Sequence, residues 1–106
     1  MSNSNLYKNT ILEMIKRLES SLTNKEKFMS DSEMQDATLM RLQVIGENIK
    51  NIPLETKKKN SQFKWKKFEK LRNLISHKYN SVDYEIVWNF IKNNLAELKD
   101  NLEKII

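Results

Sequence analysis

The sequence predicts an all-α protein, an antiparallel bundle of four to five helices forming one domain over residues 1–106, and three observations predict it. The 106 residues hold one glycine and one proline, whereas sandwiches and barrels need many turns, which are built largely from those two residues. Leu, Lys, Glu, Ile and Asn dominate in long unbroken runs. Apolar residues recur at three- and four-residue spacings, the period of a helix with one face on a core. A chain of this length suffices for one domain and can bury a core without covalent staples.

The first helix is predicted from about Asn5 to Leu22, where Tyr7, Ile11, Met14, Ile15, Leu18 and Leu22 make one apolar stripe. Thr23 and Asn24 break it, and Phe28-Met29 pins the short connection that follows. The second helix opens at Ser30, because Ser30-Asp31-Ser32-Glu33 has the capping-box form, in which hydroxyl and carboxylate satisfy free amides reciprocally. It runs to about Asn51, since Pro53 disfavours helix at the residue before it. Two stripes mark it: Met34, Ala37, Val44 and Ile45 on one side, Leu39, Leu42, Gly46 and Ile49 on another. A helix apolar on two faces sits in the middle of a bundle or contributes a second interface. Gly46 costs about 1 kcal/mol against alanine inside a helix, which points to a close backbone approach.

Residues 54–62 are lysine-rich and weakly periodic, a connection holding about one helical turn. A helix from about Lys64 to His77 follows, with Trp65, Phe68, Leu71, Arg72 and Ile75 on its inner side. Asn80-Ser81-Val82-Asp83 is a turn, with Ser81 or Asp83 as the N-cap of the last helix. That helix carries Tyr84, Val87, Trp88, Ile91, Leu95, Leu98, Leu102 and Ile105, close to a heptad seam and suited to bundle packing or dimerisation.

Composition narrows the function classes. The chain has no cysteine, which excludes disulfides and thiolate metal sites and fits a reducing compartment. Residues 1–10 lack the apolar run of a signal peptide, and nowhere are there the roughly 18 consecutive apolar residues that a membrane span needs. A cytoplasmic protein is expected. The net charge of +5 is concentrated: residues 54–79 hold eight lysines and Arg72 against Glu55 and Glu69, a local net of +7. This suggests a polyanion partner, with a solvated lysine-rich face as the alternative.

Most enzyme templates are absent. There is no glycine-rich phosphate loop, no paired histidines for zinc and no strained elbow for a serine nucleophile. What remains is Arg72-Asn73-Leu74-Ile75-Ser76-His77-Lys78-Tyr79, which contains the one histidine of the chain. Asn73 and His77 are i, i+4 neighbours on a helix, so the amide could orient the imidazole. Arg72 and Tyr79 share a face with Phe68 and Ile75, and a cation in an apolar stripe needs a partner, a ligand or a wet cleft. The alternative is a histidine compensating the helix dipole and an arginine paired with an acid.

This octapeptide resembles the R-x4-H-x-Y signature of HEPN-domain proteins of the HepT group, the toxin halves of HepT/MntA toxin–antitoxin systems. The similarity continues through Gln35-Asp36-Ala37, Ile45-Gly46-Glu47, Trp65, Val82-Asp83 and Ile86-Val87-Trp88, in order along nearly the whole chain. One departure is visible: Lys78 stands where many relatives have glycine, which bears only on the local turn. The resemblance implies a HEPN-like bundle and a type VII-like toxin that is a metal-independent endoribonuclease, needs no cofactor and works as a homodimer on RNA. It also implies that Tyr79 receives AMP from a cognate MntA-type nucleotidyltransferase, which blocks the toxin.

The residues suit that chemistry. His77 would be the acid/base, since imidazole exchanges protons near neutral pH, and Arg72 the phosphate clamp, with Asn73 positioning one of them. Lys57, Lys58, Lys59, Lys64, Lys66, Lys67, Lys70 and Lys78 would attract RNA phosphates. Phe63, Trp65 and Phe68 are interleaved with them, Trp65 and Phe68 being expected mostly in the core. Residues five apart on a helix point about 140° from each other, and one chain offers one histidine for two proton steps. A two-fold dimer answers both difficulties, its interface coming from the two-faced second helix or the seam of the last. Two rivals remain: a non-catalytic helical module presenting substrate or nucleotide to a nucleotidyltransferase, and an inert dimerisation bundle.

Overall fold

A computed structural model describes residues 3–104, apart from the side chains of Asn3, Ser4 and Tyr79. Six α-helices follow one another: α1 (Asn3–Ser21), α2 (Lys25–Ser30), α3 (Ser32–Asn51), α4 (Leu54–Lys59), α5 (Lys66–His77) and α6 (Tyr84–Glu103), with a 3-10 turn at Tyr79–Ser81. No strand occurs among the described residues, so the predicted all-α class holds. The long helices are the four that the apolar periodicity outlines; α2 and α4 are six-residue links between them.

Local chemistry sets the boundaries. Asn24, predicted only to break the first helix, also caps the next, its side chain accepting from the Lys27 N–H at 3.0 Å. The connection pinned by Phe28 is therefore the helix α2, with Phe28 fully buried. The capping box expected at Ser30 does not form. Ser30 closes α2, its hydroxyl donating to the Glu26 carbonyl at 3.1 Å, and Asp31 caps α3 by accepting from the Met34 N–H at 3.0 Å. A carboxylate at the positive end of a helix dipole gains more there than a hydroxyl does. Asp83 caps α6 through the N–H groups of Glu85 and Ile86, as one of the two predicted candidates.

The helix expected from Lys64 begins at Lys66. Trp65, just before it, is held otherwise: its backbone N–H donates to the Phe63 carbonyl at 3.1 Å and its indole N–H to the Asn60 carbonyl at 3.1 Å. The rings of Phe63 and Trp65 both turn inward.

α3 is the middle of the bundle and packs against both α1 and α5, which accounts for its two apolar sides. Leu39, Leu42, Ile45 and Ile49 are buried in one continuous core with Ile11, Ile15 and Leu18 of α1 and Phe68, Leu71 and Ile75 of α5. The seam of α6 joins the same core, with Val87, Trp88, Ile91, Leu95, Leu98 and Leu102 all buried. That seam is used inside the chain and is not free to bind a second copy; its predicted last member, Ile105, lies outside the described residues. On α3, by contrast, Met40 stays 48% exposed and Val44 half-buried. Among the described residues, no helix is long and apolar enough to cross a membrane.

Candidate functional site at the crossing of α3 and α5

The close approach expected at Gly46 is present, and it organises the site. A Cβ placed on Gly46 would lie 2.6 Å from Arg72 Cβ, 3.0 Å from the Phe68 carbonyl oxygen and 3.2 Å from Arg72 Cδ. The bare α-carbon lets α5 rest directly on α3, and the stem of Arg72 lies over it. Beyond that crossing the guanidinium reaches Glu47, with Nη1 3.4 Å from Oε2, and the arginine side chain keeps 25% of its surface exposed. Its Nε is buried without a hydrogen-bond partner. An unsatisfied buried donor costs about 1–3 kcal/mol, an expense that natural proteins tend to retain at functional positions.

His77 is the last residue of α5 and is exposed. Successive residues turn by about 100° along a helix. Arg72 thus faces α3, Ser76 and Asn73 follow around the helix, and His77 rides the outer crest, away from the buried Phe68, Leu71 and Ile75. No hydrogen bond or ion pair joins Arg72 to His77, and the predicted bond between Asn73 and His77 is not formed. Asn73, Ser76 and His77 make no side-chain hydrogen bond among the described residues. The side chain of Tyr79, and with it the predicted face shared with Arg72, lies outside the described residues; its backbone opens the 3-10 turn.

Both local alternatives to a catalytic pair are therefore realised in part: Arg72 does have an acid partner, and His77 is the basic residue in the last turn of α5. A pair whose glutamate is half exposed and whose contact spans 3.4 Å is weak, however, and a phosphate would compete with it readily.

The lysines divide. Lys58, Lys59, Lys64, Lys66, Lys67, Lys70 and Lys78 are exposed. Lys57 is drawn in, its Nζ 3.6 Å from Glu69 Oε2 and 3.4 Å from the Lys50 carbonyl, with 15% of its side chain exposed. It ties α4 to α5 and α3 and is a weaker candidate for a phosphate than its neighbours. Lys58, Lys64 and Lys66 stand with Leu54 and Ser61 around an open hollow of about 470 Å³ between α4 and the start of α5. Trp65 and Phe68 are core, as expected, and so is Phe63. The rings of Phe63 and Trp65 meet edge to face at 4.8 Å, so the aromatics of this segment hold the core together and present no open face to a base.

One part of the site escaped the sequence. Met40, Gln43, Val44 and Glu47 from α3 and Arg72 and Ser76 from α5 line an open hollow of about 280 Å³. The signal available was the spacing of 40, 43, 44 and 47 on the face that flanks Gly46.

A helical bundle presenting Arg72 and His77 along one helix, with Tyr79 two residues further on, has the features of the HEPN class. The family model described as "Ribonuclease HepT-like" matches residues 10–105, and the chain belongs to that family. It is 32% identical over 80 residues to the "Probable ribonuclease HepT" of Thermococcus cleftensis, covering 76% of this chain and 73% of that one. It is 33% identical over 81 residues to a "Putative RNase" of Caldanaerobacter subterraneus, covering 76% and 72% of the two chains. A Methanocaldococcus jannaschii protein named "Gamma-glutamylcyclotransferase and putative RNase" shares 35% identity over 103 residues. The match takes in 95% of this chain but spans only 46% of that longer relative. No solved structure gives a significant match.

Proposed function

We propose that this protein is a metal-independent endoribonuclease, the toxin of a type VII-like toxin–antitoxin pair, acting in the cytoplasm at a cleft shared by two copies of the chain. One observation carries the proposal: Arg72 is held against α3 by the Gly46 crossing, while His77 stands exposed on the outer crest of the same helix, without a side-chain partner among the described residues. RNA cleavage by the 2′-OH needs a proton removed from that hydroxyl, charge stabilised at phosphorus and a proton given to the leaving oxygen. An imidazole serves the proton steps and a guanidinium the phosphate oxygens. A second copy supplies the second imidazole and sets a guanidinium opposite each one across the cleft. Exposed lysines from Lys58 to Lys78 draw the RNA in, and Asn73 lies on the face between the two catalytic groups.

The names of the relatives agree with a ribonuclease, and the position of Tyr79 agrees with control by modification. AMP added to a phenol two residues along the chain from His77 would bring a negatively charged phosphodiester to the basic segment that draws in RNA. Incubation with ATP and the cognate nucleotidyltransferase is expected to add one AMP mass or more at Tyr79, and an unmodified Tyr79 would reject that control.

The shared site is tested by mixing. Arg72→Ala and His77→Ala chains, each inactive alone, are expected to regain part of the wild-type cleavage when refolded together, because a mixed dimer sets one guanidinium opposite one imidazole across its cleft and lacks only the second imidazole. Mixtures as inactive as the parents, with mixed dimers verified by mass, would reject the shared cleft.

A further inference from the structure

We infer that the hollow at the α3–α5 crossing is a subsite for one unpaired nucleobase beside the phosphate held by Arg72, with Gln43 reading its edge. The inference rests on the proposed ribonuclease activity and names what that activity selects. The hollow measures about 280 Å³, just below the range of pockets for drug-sized ligands, and it is open on one side. It suits a single flat ring system and not a base pair.

Its lining has two parts. Met40 and Val44 offer an apolar wall, and the exposure of Met40 at 48% leaves its thioether free to lie on a ring. Gln43 and Glu47 on α3, and Arg72 and Ser76 on α5, are two i, i+4 pairs that bring four polar groups to the same opening. The Gln43 amide and the Ser76 hydroxyl make no hydrogen bond among the described residues. Proteins that read single-stranded RNA splay bases out, cover their faces and bond their edges. A glutamine amide matches the adjacent amino donor and ring-nitrogen acceptor of adenine with two bonds. On the corresponding edge uracil offers O4 beside a C–H, so it takes one bond from the amide and leaves the amide oxygen unpaired. Arg72 lines the same hollow, so the base seated there belongs to a nucleotide flanking the clamped phosphate. Adenine is therefore favoured over uracil at one position next to the cut.

Cut sites mapped by sequencing on a random single-stranded RNA pool test this. Wild type is expected to prefer adenine over uracil by about tenfold at one flanking nucleotide, the discrimination typical of one two-bond contact. Gln43→Leu, which removes the amide and keeps a similar size, is expected to bring that ratio close to one. A wild type without preference, or a Gln43→Leu protein with the preference intact, overturns the subsite. Binding of oligoadenylate and oligouridylate to His77→Ala, with and without Gln43→Leu, reads the same contact without any cleavage. An adenine preference lost with the amide supports the subsite even if the ribonuclease activity fails. Equal binding of both oligomers overturns it, as does a dimer that dissociates on Gln43→Leu with base preference unchanged, which would make the hollow a chain–chain contact.

Discussion

Replacing His77 with alanine is expected to lower RNA cleavage by about 10²–10⁴-fold, the range supplied by a positioned acid/base, while the protein stays folded and still binds RNA. The separation of these effects follows from where the residue stands. His77 is exposed on the last turn of α5 and takes no part in the buried cluster of Phe68, Leu71 and Ile75. Its removal forfeits at most a favourable charge at a helix end, about 0.3–1 kcal/mol at an exposed position. In the proposed mechanism RNA affinity comes instead from lysines such as Lys58, Lys64 and Lys70, which are exposed, so the steep fall of binding with salt should persist in the variant. Single-turnover cleavage, anisotropy of a labelled RNA and a thermal melt read the three quantities separately. Cleavage at the wild-type rate by a folded His77→Ala protein would remove the imidazole from the mechanism.

Gly46→Ala is expected to destabilise the fold, against the helix propensity of the residue. On an isolated helix the change would gain about 1 kcal/mol. Here the new methyl would sit 2.6 Å from Arg72 Cβ and 3.0 Å from the Phe68 carbonyl oxygen. Both atoms belong to α5 at or next to its backbone and cannot swing aside as the tip of a long side chain could. The two helices must separate by several tenths of an ångström or more, and overpacking of this kind costs about 1–3 kcal/mol. For a domain of this size each kcal/mol lowers Tm by about 4–8 °C. The same displacement carries Arg72 away from its place, so cleavage should fall further than the loss of folded protein explains, because misplacement by about 1 Å can cost on the order of 10²-fold. Thermal unfolding and cleavage per folded molecule check both parts. A Tm equal to or above that of wild type would show that α3 and α5 are not in contact there.

Much of this was legible in the sequence because the signals are local. Pro53 and Asp83 mark helix ends by backbone chemistry that acts within a few residues, and both ends lie where that chemistry puts them. Gly46 announced a close approach because no other residue type leaves the space. The errors have a common origin. Ser30 and Asp31 both offered a cap, and the choice depended on α2 claiming the serine. The heptad seam of α6 is equally consistent with an internal core and an external partner, since periodicity shows that a face is apolar and not what covers it. Phe63 stood among the lysines as a possible stacking surface until its burial against Trp65 was known.

By itself, the sequence determined which segments are helical and where the basic charge accumulates. It also determined that Arg72, Asn73, His77 and Tyr79 follow one another along one helix and its end. These properties follow from hydrogen bonds and torsions a few residues long. Tertiary structure alone decided that Arg72 meets Glu47, that Lys57 is spent on Glu69 and that α6 keeps its seam inside. It alone put Gln43 beside the arginine. Each of these joins residues distant in the chain, and such neighbours are chosen by how helices cross, which one-dimensional spacing does not encode.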